Sequence, residues 1–283
     1  MKKQYVFFIN IILKITVLVI LPGNVLHVMA ESTGNANRIG AALGYSFSGY
    51  REETYSDINR FLDTLSFHLD ANIEKSAVLH SYNAGFYMGD SLSISDKPLL
   101  MEDYDAQTGE SFYTVYPSRF LAIRGFFEYA LDFRLWGNDT FPGYFGGAFR
   151  ADAYLQFSHY PSITGLFSLN LHATQKWIID NDNSLTFSMG APVFGFAVRP
   201  PYAGADAALI QYAAEQPLKI LSLGEICSLH NYWALFGDLK YQHTVNSLVS
   251  LYSGLGFELS RFNFPRPRLD AILRISSGIT FTF

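Results

Sequence analysis

Cysteine is all but missing from this chain: Cys227 stands alone among 283 residues. A single thiol excludes an intramolecular disulfide framework, so hydrogen bonding and packing must hold the fold unaided. Charge is scarce too, since charged residues make up 16% of the chain and aromatic ones another 16%. That balance suits a surface facing something less polar than water, and the net acidity (formal charge −5) argues against a nucleic-acid partner. Past the first thirty residues no apolar run reaches the roughly 18 residues of a membrane helix. Glycine-rich phosphate loops, paired cysteines and His-Glu-x-x-His are absent, so neither a cofactor nor a metal is expected. Internal repeats and low-complexity tracts are absent as well.

What is present begins at the amino terminus. Lys2 and Lys3 precede an apolar run from Tyr5 to Val25, and Val28 and Ala30 follow at the spacing of a secretory cleavage site. Residues Met1 to Ala30 read as a signal peptide and 31–283 as one domain. An uncleaved helix fits less well, because Lys14 splits the run and Pro22 with Gly23 ends it early. Cleavage removes three of the 20 basic residues and none of the 25 acidic ones, leaving a formal charge of −8.

The remainder alternates. Apolar residues occupy the odd positions of the last segment (Leu269, Ala271, Leu273, Ile275, Ile279, Phe281, Phe283), with polar or small ones mostly between. Arg119 to Leu135 does the same, setting Leu121, Ile123, Phe127, Tyr129, Leu131, Phe133 and Leu135 against Arg124, Glu128, Asp132 and Arg134. Similar runs cover Arg38–Gly49, Phe61–Ile73, Val78–Met88, Gly143–Phe157, Ile163–Ala173, Leu185–Ala197, Trp233–Tyr241 and Val249–Leu259. A membrane strand needs about 9 to 11 residues, whereas a soluble strand averages about 5 or 6, and these runs match the longer figure. Pro192 lacks an amide donor and predicts a bend or bulge in its strand.

Ten such strands predict an all-β, antiparallel, up-and-down transmembrane barrel. Leu218–Leu229 would add an eleventh, but single-chain barrels are even-numbered, so Pro200–His230 reads as one exterior excursion; a hidden hairpin there would give twelve strands. Short turns then fall on one side, around Lys75, Asn138, Asp182 and Thr244. Longer loops fall on the other: Tyr50–Arg60, Gly89–Ser118, Pro200–His230 and Arg261–Arg268. Trp136, Trp177 and Trp233 occupy aromatic-girdle positions.

With its leader, its alternating strands and the terminal Ile279-Thr280-Phe281-Thr282-Phe283, the chain resembles the bacterial outer-membrane β-barrel proteins over residues 38–283. The resemblance implies outer-membrane residence, lipid and lipopolysaccharide neighbours, and delivery through the barrel-assembly machinery by the terminal strand. It leaves activity open, because the class holds porins, adhesins, lipid-modifying enzymes and surface proteases.

Two enzymatic subclasses are worth matching. The omptin-like proteases, also ten-stranded, carry an acid pair in one loop and an Asp-His pair in a later one. Asp103 and Asp105 match the first pair, but no Asp-x-His follows, and His230 and Asp206 lie far apart. The same acidic loop (Asp96, Glu102, Asp103, Asp105, Glu110) has no recognisable Ca²⁺ spacing and reads as a solvated segment. Ser158-His159 with Ser162 resembles the lipid A deacylases, where a serine follows the histidine by two positions; here it follows by three, with Pro161 between. A nucleophile needs a base within reach and an orienting acid, and sequence supplies only proximity.

Inside the barrel, Arg124, Glu128, Asp132 and Arg134 should face Arg150 and Asp152. Barrels only slightly wider than eight strands fill with side chains, so these charges should pair and plug the lumen; a narrow pore lined by them is the other reading. In the last exterior loop Arg261, Arg266 and Arg268 flank aromatic and proline residues where lipopolysaccharide phosphates would lie. The expected function is that of a structural, adhesive or narrow-pore surface protein acting through loops 89–118 and 200–230. A rim hydrolase using Asp103, Asp105, His159 or His230 is the alternative.

Overall fold

The computed structural model describes residues 37–52, 56–75, 77–93, 99–104, 108–116, 119–157, 162–199, 224–263 and 267–283. The leader Met1–Ala30, and with it the cleavage expectation, lies outside them. No described helix is long and apolar enough to cross a membrane.

The described elements are thirteen strands: β1 (Arg38–Glu52), β2 (Ser56–Lys75), β3 (Val78–Ser93), β4 (Leu99–Tyr104), β5 (Ser111–Tyr116), β6 (Arg119–Trp136), β7 (Gly143–Phe157), β8 (Ser162–Ile178), β9 (Asn183–Val198), β10 (Glu225–Ser228), β11 (Tyr232–Thr244), β12 (Val249–Phe262) and β13 (Arg268–Thr282). Ten of them close a ring in the order β9, β11, β12, β13, β1, β2, β3, β6, β7, β8 and back to β9, every neighbour antiparallel. The seal between the two ends of the ring sequence is β1 with β13, from Arg38↔Thr282 to Glu52↔Arg268. Closure leaves no edge strand in the ring, which is how a sheet satisfies its backbone where water is absent, although the β9–β11 ladder ends at Gly190.

Alternation decides which way each side chain points. On β1, β2, β6, β7, β11, β12 and β13 the even positions face the lumen. The outward faces are greasy and open, with Leu43, Leu65, Phe67, Leu169, Leu251, Ile275 and Phe281 all exposed. Toward the short turns the outer wall becomes aromatic and polar. His80 Nδ1 lies 3.0 Å from Tyr129 Oη, and Trp136 Nε1 donates to Gln175 Oε1 at 2.8 Å, which suits side chains with one apolar and one wet end. Gly137 turns β6 into β7 with φ +84°, a conformation that a side chain would strain.

Three expectations change. The loop at Tyr50–Arg60 shrinks, because β1 runs on to Glu52 and β2 begins at Ser56. The loop Gly89–Ser118 is partly strand: β3 continues to Ser93, and β4 pairs with β5 as a separate hairpin. β2 has 20 residues, about twice what a bilayer requires, so the wall projects beyond the apolar band. The excursion Pro200–His230 ends in the short β10, an addition to the ten-stranded ring and not an eleventh stave.

The bend at Pro192 is present. Leu169 pairs with Phe194 and Asn170 with Pro192, so Val193 is the extra residue of a bulge. Val193 and Phe194 both point outward as a result, and beyond them the odd positions Gly195, Ala197 and Arg199 take over the inner face.

The lumen as candidate functional site

Charged and aromatic side chains fill the interior where β6, β7 and β12 face one another. Arg124 Nη2 donates to Asp152 Oδ1 at 2.8 Å and to Glu258 Oε1 at 2.6 Å. Arg150 donates to Asp152 Oδ2 at 2.8 Å and to Glu258 Oε2 at 2.9 Å, and its Nη1 stands 3.8 Å from Glu128. In the ring β6 and β12 are diametrically opposite, with four strands between them either way. The Arg124–Glu258 pair therefore spans the barrel's full width.

Aromatic rings hold this layer from both sides. The Arg150 guanidinium lies 4.6 Å from the centre of Phe126 and 4.7 Å from that of Phe236. Phe236 fits because position 190 is glycine; a Cβ there would collide with its ring.

Closer to the short-turn end of the barrel further pairs cross the lumen. Lys240 on β11 donates to Asp70 on β2 at 2.9 Å, and Tyr252 Oη reaches the same carboxylate at 3.1 Å. Lys176 on β8 lies 3.5 Å from Glu74 on β2, which also accepts from Tyr144 Oη at 2.6 Å. Arg274 binds Asp238 and donates to Tyr87 Oη at 2.7 Å.

Of the six residues expected to form one cluster, the structure brings four together: Arg124, Glu128, Arg150 and Asp152. Asp132 instead pairs with His172 Nδ1 at 2.7 Å, and Arg134 reaches Asp139 in the β6–β7 turn at 3.0 Å. Sequence reading missed Glu258, which sits in an alternating strand and has the parity of an inward residue. Nothing in the sequence says that it meets residues of the opposite wall.

The charged layer separates two cavities. The lower, about 190 Å³, is lined by Glu128 and Arg150 and extends toward Glu74 and Lys176. The upper, about 60 Å³, is lined by Arg124, Asp152, Tyr154 and Phe262. Glu258 lines both. Above, the interior becomes apolar and aromatic, with Tyr50, Leu62, Phe120, Ala122 and Tyr154 in one buried cluster.

Arg268 corrects an expectation. It is the first residue of β13, buried in the lumen, with its guanidinium on Asp270 at 2.8 Å and 4.6 Å from the Tyr154 ring. Its even parity, shared with Asp270 and Arg274, put it inside. Arg261, at an odd position of β12, is exposed at the outer rim, where its Nε donates to Asn263 at 3.0 Å. Arg266 lies outside the described residues.

Among the catalytic candidates, Asp105 and His159 also lie outside the described residues. Asp103 is in β4 opposite Phe112 of β5. His230 occupies the β10–β11 turn, with Nδ1 2.5 Å from Ser228 Oγ. Among the described residues no group of three or more His, Cys, Asp or Glu side chains is arranged to hold a metal.

Comparison of the whole structure with solved ones places this geometry. The outer membrane protease OmpT from Escherichia coli aligns with a TM-score of 0.53 at 8% identity, over 89% of this chain and 99% of that one. This is the fold of the outer-membrane β-barrels. The translocator domain of the autotransporter NalP from Neisseria meningitidis (TM-score 0.38, 7% identity, 92% and 93% covered) and Ail from Yersinia pestis (0.29, 11%, 87% and 99%) are more distant. No protein-family model and no curated protein matches the sequence. At 8% identity the likeness to OmpT speaks for architecture alone.

Proposed function

We propose that this protein is an integral barrel of the bacterial outer membrane whose lumen is closed, and that it works as a structural or adhesive surface protein through its exterior segments, 89–118 and 200–230. One observation carries the reading: Glu258 of one wall is bonded to Arg124 and Arg150 of the other, so side chains occupy the path an ion would take. An open channel is typical of barrels with about 16 or more strands, and ten leave little room once such pairs form. The greasy exterior and aromatic girdle support membrane residence. Arg261 at the outer rim suits contact with lipopolysaccharide phosphates, and the terminal strand suits recognition by the barrel-assembly machinery.

Planar-bilayer recording of the full chain tests this. The expected result is no discrete conductance. Ion-selective steps that change with Arg124→Ala would replace the closed barrel by a narrow pore. Turnover of phospholipid, lipopolysaccharide or peptide that disappears in His230→Ala would replace it by a hydrolase.

A further inference from the structure

The charges of the lower lumen do not cancel where they stand. In the layer, Arg124 and Arg150 share Asp152 and Glu258, two cations against two carboxylates. Lys240 is matched by Asp70 and Arg274 by Asp238, while Asp132 is taken up by His172 and Thr174. Glu128 is left over. It is 6% exposed, Arg150 comes no nearer than 3.8 Å, and its Oε2 has no hydrogen-bond partner among the described residues.

At the short-turn mouth the imbalance is reversed. Arg38, the first residue of β1, and Lys176 on β8 stand around Glu74, which Tyr144 also binds. Two cations to one carboxylate leave a positive charge there. On β13, close to the same mouth, the buried Thr280 hydroxyl has no partner among the described residues either. Both ends belong to one space: Glu128, Thr280, Arg38 and Lys176 all line the lower cavity of about 190 Å³, and the crossing pair Lys240–Asp70 lines it without filling it. That volume takes on the order of a dozen waters, or one small organic molecule of similar bulk.

We propose that the lower lumen is a binding site for a small linear zwitterion of the short-peptide class, which enters from the short-turn end, bonds its ammonium to Glu128 and leaves its carboxylate between Arg38 and Lys176. An ammonium brings three donors to a carboxylate that lacks one, and a carboxylate accepts from the Arg38 guanidinium and the Thr280 hydroxyl. Water alone would satisfy the orphaned oxygens but would cancel neither charge. The inference goes beyond the surface role proposed above and needs only the floor and the mouth of the lumen, so it stands apart from what the exterior segments do.

Calorimetric titration of the full chain in detergent micelles with diglycine tests the site. The expected result is saturable heat with one peptide per barrel. N-acetyl-diglycine, which lacks the ammonium, and diglycinamide, which lacks the carboxylate, should each bind about tenfold or more weakly, as the loss of a hydrogen bond to a charged group would cause. Arg38→Gln should remove the difference between diglycine and diglycinamide and keep that between diglycine and its acetylated form; Glu128→Gln should do the reverse. Should Glu128→Gln lose its folded mobility in unheated gels, Ser188→Trp fills the cavity from β9, leaves both charges in place and should abolish binding. Absence of saturable heat with diglycine in the wild type overturns the site, as does equal binding of the two blocked peptides. Binding that survives Ser188→Trp puts the peptide elsewhere and overturns it as well.

Discussion

Two walls of the same barrel are built on different terms. From β12 through β13 and β1 to the described start of β2, pairing is nearly residue for residue, with one irregularity at Arg51/Glu52 on the outer rim. Its inner face is small and polar, with Ser46, Thr64, Ser66, Ser250, Ser260, Ser276 and Thr280 buried there, and Ser46 bonded to Thr64. From β8 through β9 to β11 the ladder is bulged at Val193, interrupted above Gly190, supplemented by β10 and backed by an apolar cluster. The first wall is sealed by continuous ladders and the second by interrupted ones. The difference shows where such a barrel can yield: a continuous ladder opens only cooperatively, whereas the stretch of β9 and β11 above Gly190 has no backbone bonds between them to break.

The largest expected effect comes from removing the residue that ties the two walls together. Glu258→Ala leaves Arg124 and Arg150 each short of a carboxylate in a mostly buried layer, and breaking a buried pair this way costs about 3–5 kcal/mol. Denaturant titration of folding into vesicles should show the loss, and Glu258→Gln, which keeps the shape and one of the two acceptor oxygens, should lose less. An equal loss in the two variants would mean that the whole contribution lies in the charge and none in the side chain's shape, and no loss in Glu258→Gln would mean that the charge contributes nothing to holding β12 against β6.

A smaller effect sharpens the contrast between the faces of the sealed wall. Leu43 on β1 is 71% exposed toward lipid, and an arginine near the bilayer midplane costs about 2–4 kcal/mol. Leu43→Arg should therefore destabilise the vesicle-inserted protein by about that much, while Arg261→Leu, at the rim, should change stability by less than about 1 kcal/mol. Equal effects at the two positions would contradict a hydrocarbon belt at the level of Leu43.

Much of this architecture was legible in the alternation itself. β7 was bounded to the residue, and the bulge at Pro192 follows from a proline that cannot donate to a ladder. What sequence could not show were relations set by closure. Glu258 meets Arg124 because ten strands bring β12 opposite β6, and no local pattern encodes that juxtaposition. Arg268 was legible but misread, since beginning the strand at Leu269 discarded the parity that places residue 268 inside. β10 is four residues long, too short for a periodic signal.

Trp136 offers a modest test at the short-turn rim, next to the irregularity between Arg134 and Trp136 in the β6–β7 ladder. Its indole donates to Gln175 across the outer surface, so Trp136→Phe keeps the ring in the girdle and removes one hydrogen bond, for a loss of about 0.5–1.5 kcal/mol. Gln175→Ala should cost less in the Trp136→Phe background than in the wild type, by the bond the two residues share, and what remains belongs to the bonds from Gln175 Nε2 to the Pro142 and Lys176 carbonyls. Fully additive losses would show that the two side chains do not interact.

The smallest effect belongs to the turn that starts the interrupted strand. Asp180 accepts hydrogen bonds from the Asn183 side chain and from the backbone amides of Asp182 and Asn183, and these hold its carboxyl below its ordinary value. A carboxyl depressed in the folded state stabilises it at pH above the unfolded value, and that contribution disappears as pH falls through the folded one. Amide exchange at Asp182 and Asn183 should therefore quicken, relative to the intrinsic rate, only on acidification below the ordinary carboxylate range. Asp180→Asn should show the quicker exchange already at neutral pH. The turn is exposed, so the barrel's global stability should not follow; if it does, the β8–β9 hairpin opens as one unit with the interrupted ladder above it.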